Sequence, residues 1–221
     1  MVAVDGPSGS GKSSASRGVA RALGLRYLDT GAMYRALTWW LMSAGADITD
    51  ETLVATRAAE PAIEVSTDPD DPWTRVDGRD VSAEIRTREV SAHVSAVAVV
   101  PEVRRHLISL QRAIIAAAQP GIVAEGRDIG TVVAPDAQLK VFLTAHSQAR
   151  AERRAAEQGA AVDVTEADQD RRDRLDAAQS AKAADAVLLD ATDLTLPEVI
   201  GAITRLARER APLARAGGES S

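Results

Sequence analysis

Gly6-Pro7-Ser8-Gly9-Ser10-Gly11-Lys12-Ser13 sets three glycines, a lysine and a hydroxyl at the G-x-x-x-x-G-K-[ST] spacing. Glycines let successive backbone N–H groups converge on a phosphate, and a helix opening near Gly11 adds the positive end of its dipole. At that spacing Lys12 would bridge the β- and γ-phosphates of ATP, and the Ser13 hydroxyl would ligate Mg²⁺. The candidate ATP-binding residues are therefore Gly6, Pro7, Ser8, Gly9, Ser10, Gly11, Lys12, Ser13 and Ser14, with Ser13 as the candidate metal ligand. A Gly/Ser-rich turn that merely starts a helix is the bland alternative. Against it, the full motif coincides with a strand on one side and a helix on the other. The motif is common to kinases, GTPases and motor ATPases, so it does not choose the reaction.

A second group of residues is basic. Arg35 closes the stretch Leu28-Asp29-Thr30-Gly31-Ala32-Met33-Tyr34-Arg35, and Arg86, Arg104 and the tripeptide Gly126-Arg127-Asp128 follow. The tripeptide ends a buried strand, which is where open α/β sheets bind their ligands. Arginines so placed suit anions, although Arg86 or Arg104 taken singly reads as well as a surface salt bridge. Only Lys12, Lys140 and Lys182 of the 26 basic residues are lysines, which sharpens the placement of Lys12. His93, His106 and His146 lack paired-ligand spacing, and with no cysteine a thiolate metal site or nucleophile is excluded.

These residues need elements to hold them. Val2-Ala3-Val4 reads as a strand, and Ala15, Val19, Ala20 and Leu23 recur at helical spacing up to a Gly24 cap. A short strand at Tyr27-Leu28 leads into a helix with Met33, Ala36, Leu37, Trp40, Leu41 and Ala44 on one face, ended by Gly45. Residues 60–81 read as a small hairpin insert around the Pro-Asp-Asp-Pro turn at 69–72. Helices are predicted over 87–99 and from Pro101, the latter with Val103, Leu107, Leu110 and Ile114 as its buried stripe. The runs 122–124 and 139–143 are continuously apolar, the mark of strands covered on both faces of a parallel sheet. From 150 to 174 the chain reads as a charged loop, before a last strand at 186–189 and a last helix at 197–208.

The whole is expected to be an α/β protein: a P-loop NTPase core, its parallel sheet flanked by helices joined through right-handed crossovers. One domain of 221 residues fits, with net charge −6, 45% apolar and 3% aromatic residues. That charge argues against duplex binding. No apolar run approaches a membrane span, and Asp5 and Gly6 interrupt any leader-like start, so a soluble cytoplasmic protein is expected.

The chain resembles the bacterial cytidylate kinases. The likeness is carried by residues 5–13, Leu28 to Arg35, Ile85-Arg86-Thr87, Pro101 to Arg104, Glu125-Gly126-Arg127-Asp128 and Ala184-Asp185-Ala186. The 30–35 block together with Gly126-Arg127-Asp128 is more specific than the phosphate loop. The resemblance implies transfer of the γ-phosphate of ATP to CMP or dCMP, with Mg²⁺ and with no nucleic acid, membrane or obligate protein partner. It implies that Arg35, Arg86 and Arg127 hold the acceptor phosphate, that Thr30 and Tyr34 line its pocket, and that Ser95, Arg104 and Asp128 read the base. Lys12, Arg35, Arg127 and Arg172 become the candidate catalytic residues. Arg153, with Arg150 and Arg154 beside it, resembles residues on the ATP side. Glu125 fits either an outer ligand to a magnesium-bound water or a structural carboxylate.

The lobes implied are a core of about 1–30, 120–155 and 185–212, a monophosphate-binding lobe of about 31–119 and a short lid of about 156–184, with 213–221 a disordered tail. In the lid, Arg172 and Asp176 match the family pattern as contacts to phosphate and ribose, whereas Gln179 stands where a second arginine is expected. Two rival readings stay open at this level. One is a related small kinase acting on UMP or another acceptor. The other is a nucleotide switch, although the chain lacks an Asn-Lys-x-Asp guanine motif and has more arginines than a switch needs.

Overall fold

The structure is a computed structural model describing residues 1–158, 174–175 and 180–210, with the side chains of 154–158 outside that set. Arg172, Asp176, Gln179, the side chain of Arg154 and the tail from 213 therefore lie outside the described residues.

In chain order the strands are β1 (Val2–Asp5), β2 (Arg26–Asp29), β3 (Ile63–Val65), β4 (Thr74–Val76), β5 (Arg79–Asp80), β6 (Ile122–Gly126), β7 (Leu139–Thr144) and β8 (Val187–Asp190). The helices are α1 (Lys12–Leu23), α2 (Thr30–Ser43), α3 (Glu51–Arg57), α4 (Arg88–Ala98), α5 (Pro101–Ala117), α6 (Ser147–Gln158) and α7 (Leu196–Arg210).

Alternate residues of a strand face opposite sides, so a run that is apolar at every position needs cover on both. β1 and β6 meet that need. Ala3, Ile122 and Ala124 pack with Met33, Leu37 and Leu41 of α2 and Leu107 of α5. Val2, Val4 and Val123 turn the other way, onto Val19 of α1 and Val199 and Ile203 of α7. The main sheet runs β2-β6-β1-β7-β8, and all its pairings are parallel. The α1–α7 contact is close: a Cβ on Gly18 would lie 2.2 Å from Ile200 Cδ1.

The insert is a three-stranded antiparallel sheet, β3-β4-β5, rather than a simple hairpin. Its third strand is two residues long and carries no alternation to read. α3 was not expected from the pattern, since Val54 is its one buried residue; its Asp50 cap accepts the Leu53 N–H at 3.0 Å. The charged stretch expected as a loop from 150 is helical to Gln158. Ala, Glu, Arg and Gln form helices by intrinsic propensity, and so few apolar residues leave no stripe in the sequence. The insert is tied to the core. Arg17 Nε and Arg21 Nη2 donate to the Pro69 carbonyl at 3.2 and 2.9 Å, Arg21 Nε reaches Asp70 at 2.6 Å, and the Tyr27 N–H donates to the Thr67 carbonyl at 2.9 Å.

Candidate active site

The chain turns from β1 into α1 at the carboxyl edge of the sheet. Gly6 has φ +151, and a Cβ there would lie 2.0 Å from the Leu143 carbonyl oxygen, so the loop passes β7 only without a side chain. Gly11, at φ +88, caps α1 in the left-handed region. Lys12 Nζ, on the first residue of the helix, donates to the Pro7 carbonyl at 2.7 Å. The buried Arg150 Nη1 donates to the Ser8 carbonyl at 2.9 Å.

β6 delivers Gly126-Arg127-Asp128 beside this loop. The Thr30 hydroxyl donates to the Glu125 carbonyl at 2.6 Å, and a Cβ on Gly126 would stand 2.6 Å from that hydroxyl. Beyond the tripeptide, Asp5 accepts the N–H groups of Ile129 and Gly130, each at 2.8 Å. Burial pushes the Asp5 carboxyl up, against those two bonds. The segment is thus held at both ends. Arg127 Nη1 donates to the Gly6 carbonyl at 3.2 Å, while Asp128 takes a short bond from Arg104 of α5.

Asp29 ends β2 and caps α2 through the Ala32 N–H at 2.9 Å; its second oxygen lies 3.3 Å from Arg35 and 3.5 Å from Arg86. Tyr34 is pushed up to about 12 by burial. The Ser95 hydroxyl is buried with no hydrogen-bond partner among the described residues. Glu125 is raised to about 7 by burial and then by the charge of Asp29, against the Lys12 charge and hydrogen bonding from Tyr27 and Ser13.

Lys12, Asp29, Tyr34, Arg35, Arg86, Ser95, Arg104, Glu125, Arg127 and Asp128 line one cleft of about 420 Å³. Lys12, Arg17, Arg35, Arg86, Arg104 and Arg127 outnumber Asp29, Glu125 and Asp128 on its walls. An acidic protein has gathered positive charge at one place, which suits two polyanions. The model of the family described as "Cytidylate kinase" matches residues 2–209. The chain belongs to the cytidylate kinase family. A "Cytidylate kinase" of Streptomyces avermitilis is 54% identical over 215 residues, covering 95% of this chain and 93% of the relative. One from Nocardia farcinica is 48% identical over 219 residues, covering 95% and 94%. A solved structure of an uncharacterized protein from Eubacterium ventriosum shares the fold at TM-score 0.51 and 10% identity, over 94% of this chain and 97% of that one.

Within this cytidylate kinase fold, the cleft wall gathers Ser8, Gly9, Gly11, Lys12, Ser13 and Ser14 with Thr30, Tyr34, Arg35, Arg86, Ser95, Arg104, Arg127 and Asp128. Gly6, Pro7 and Ser10 lie in the loop behind that wall. Arg153 is elsewhere: its Nη2 donates to the Ala191 carbonyl at 2.6 Å, and it lines no part of the cleft. The neighbour that reaches the phosphate loop is Arg150. Sequence reasoning also passed over Asp29, Tyr27, and the insert residues Ser66, Trp73 and Thr74 on the cleft wall. Asp29 carried a signal, an Asp directly before a helix at the capping position. The insert residues carried none, because only the tertiary fold brings that hairpin over α1.

Proposed function

We propose that the protein transfers the γ-phosphoryl group of ATP to the phosphate of CMP or dCMP. The observation that carries this reading is a cleft in which Gly9, Gly11, Lys12 and Ser13 of the phosphate loop share a wall with the Arg104–Asp128 pair and with a Ser95 hydroxyl that has no partner among the described residues. Cytosine offers an N4 amino donor to Asp128 and Ser95, and N3 and O2 acceptors to Arg104. Uracil reverses positions 3 and 4, leaving a buried polar group unsatisfied at a cost of about 1–3 kcal/mol, roughly 10- to 100-fold in preference.

Arg35, Arg86 and Arg127 would hold the acceptor phosphate, with Asp29 fixing the first two, and Thr30 and Tyr34 would complete that pocket. Lys12 and the loop N–H groups would hold the β- and γ-phosphates. The hard oxygen donors of Ser13 and Glu125 suit Mg²⁺ carried on the triphosphate, which when bound neutralises phosphate charge. Since the acceptor is already an anion, no general base is needed to make the nucleophile. The residues instead align two polyanions and offset charge in a loose transition state. Arg172 and Asp176 are assigned as lid contacts to phosphate and ribose, and of the three arginines on the ATP side, Arg150 is the one whose bond to the Ser8 carbonyl supports that role.

No helix among the described residues is long and apolar enough to cross a membrane, and we assign the reaction to the cytoplasm, where both nucleotides are found. A coupled ADP-release assay with ATP, Mg²⁺ and a panel of nucleoside monophosphates tests the reading. CMP and dCMP should lead; equal rates with UMP or AMP would overturn it.

A further inference from the structure

β2 and β6 carry two carboxylates in register, Asp29 opposite Glu125. Their surroundings differ. Asp29 is shared by Arg35 and Arg86, whereas Glu125 is 3% exposed and receives the Tyr27 hydroxyl at 2.5 Å. A buried carboxylate facing a second one is costly unless donors and a cation compensate it. Evolution of a merely structural contact would be better served by an apolar side chain at position 125, since its neighbours in β6 are all apolar. Glu125 instead stands one residue before the end of its strand on the cleft wall, with Lys12 and Ser13.

Tyr27 is unusually constrained. Its ring belongs to the cluster of Val2, Ala20 and Val123, its main-chain N–H is bonded to the insert at Thr67, and it lines the cleft beside Glu125. A phenol held at ring and backbone is a rigid donor, whereas a glutamate side chain on its own has three torsions to settle.

We propose that Tyr27 is a positioning residue for phosphoryl transfer, its hydroxyl holding the Glu125 carboxylate toward Ser13 and the phosphate loop. Tyr27 touches neither phosphate; it acts through Glu125. This inference rests on the phosphoryl-transfer reading above. With Tyr27 absent as donor, Glu125 keeps its place in the strand and its bond from Ser13 but loses the rigid donor, so the loop still binds nucleotide while the metal-bearing form loses much of its advantage.

The test uses the full chain with Tyr27→Phe, Glu125→Gln and the double variant. Titration calorimetry measures ADP affinity with and without Mg²⁺, and steady-state assays separate kcat from KM for CMP. In Tyr27→Phe the gain in ADP affinity on adding Mg²⁺ should shrink about 10-fold, on the scale of one hydrogen bond to a charged group. kcat should fall by a similar factor with KM for CMP within about two-fold of wild type. Glu125→Gln should reproduce both changes, and the double variant should lose no more than Glu125→Gln alone, the mark of two residues acting as one. A Tyr27→Phe protein with an unchanged Mg²⁺ gain, or losses that add in the double variant, would overturn the proposal. If Tyr27→Phe does not fold, an unchanged Mg²⁺ gain in Glu125→Gln overturns it equally. A wild-type chain that binds Mg²⁺ and ADP but phosphorylates no monophosphate would instead overturn the functional reading, leaving the calorimetric comparison to judge Tyr27 separately.

Discussion

Asp128 and Arg104 hold each other in the cleft, so a base that binds there must complement both charges at once. Asp128→Ala removes the acceptor proposed for a cytosine amino group and releases Arg104 from its partner. It should raise KM for CMP and narrow the gap between CMP and UMP, measured as the ratio of their kcat/KM values; an equal loss for both bases would show that Asp128 does not discriminate. Lys12 lies at a different part of the same wall and acts on charge rather than on identity. Lys12→Ala should lower kcat by about 10²- to 10³-fold, the scale of a lost preorganised electrostatic group, while circular dichroism stays that of wild type. Residues such as these were legible because each belongs to a short contiguous motif: the phosphate loop, 30–35 and 126–128. Arg150 and Arg153 could not be told apart in the sequence because several arginines share α6, and only the fold shows that Arg150 turns to the Ser8 carbonyl while Arg153 turns to Ala191.

The elements divide on similar lines. Strands covered on both faces declared themselves through unbroken apolar runs, and α1, α2 and α5 through their stripes. α6 was hidden because its buried contribution is small, with Arg150 and Ala151 its buried side chains among the described residues. The bond between insert and α1 was hidden as well, since Arg21 and Asp70 are far apart in the chain and ordinary surface residues in isolation. Through the insert that bond bears on the cleft, because Trp73 and Thr74 line its wall. Arg21→Ala should leave thermal stability almost unchanged, as exposed ion pairs contribute about 0–1 kcal/mol. It should nevertheless raise KM for CMP by up to about five-fold at constant KM for ATP, the equivalent of that same energy. A rise in KM for ATP alone would place the bond on the donor side.

Over the whole molecule, a net charge of −6 coexists with a cleft where cations outnumber carboxylates six to three among the described residues. Like charges held together repel, so anions that bind there should stabilise the fold. Inorganic phosphate is expected to raise Tm more than chloride at equal ionic strength, and Arg127→Ala should reduce that difference. Glu125 sets a pH dependence of its own. Its carboxyl is raised from 4.5 to about 7, so between those values the folded chain retains a proton that the unfolded chain has lost. Stability from this group is full below the lower value and is lost as pH rises through the upper one. Without nucleotide or Mg²⁺, the Tm of Glu125→Gln relative to wild type should therefore climb from pH 5 to about pH 7.5. A flat difference across that range would show that Glu125 is already charged at low pH.

The three tryptophans give this arrangement an optical signature. Trp39 and Trp40 sit in α2 under the guanidinium groups of Arg79 and Arg57, at 5.2 and 4.5 Å, and lie outside the cleft wall. Trp73, with Arg75 stacked at 4.4 Å, is on the insert and on the cleft wall. With Trp39 and Trp40 replaced by phenylalanine, the remaining emission would come from the insert at the cleft wall. Its colour and intensity would then follow the arrival of a monophosphate in real time, with no label attached and no second substrate needed.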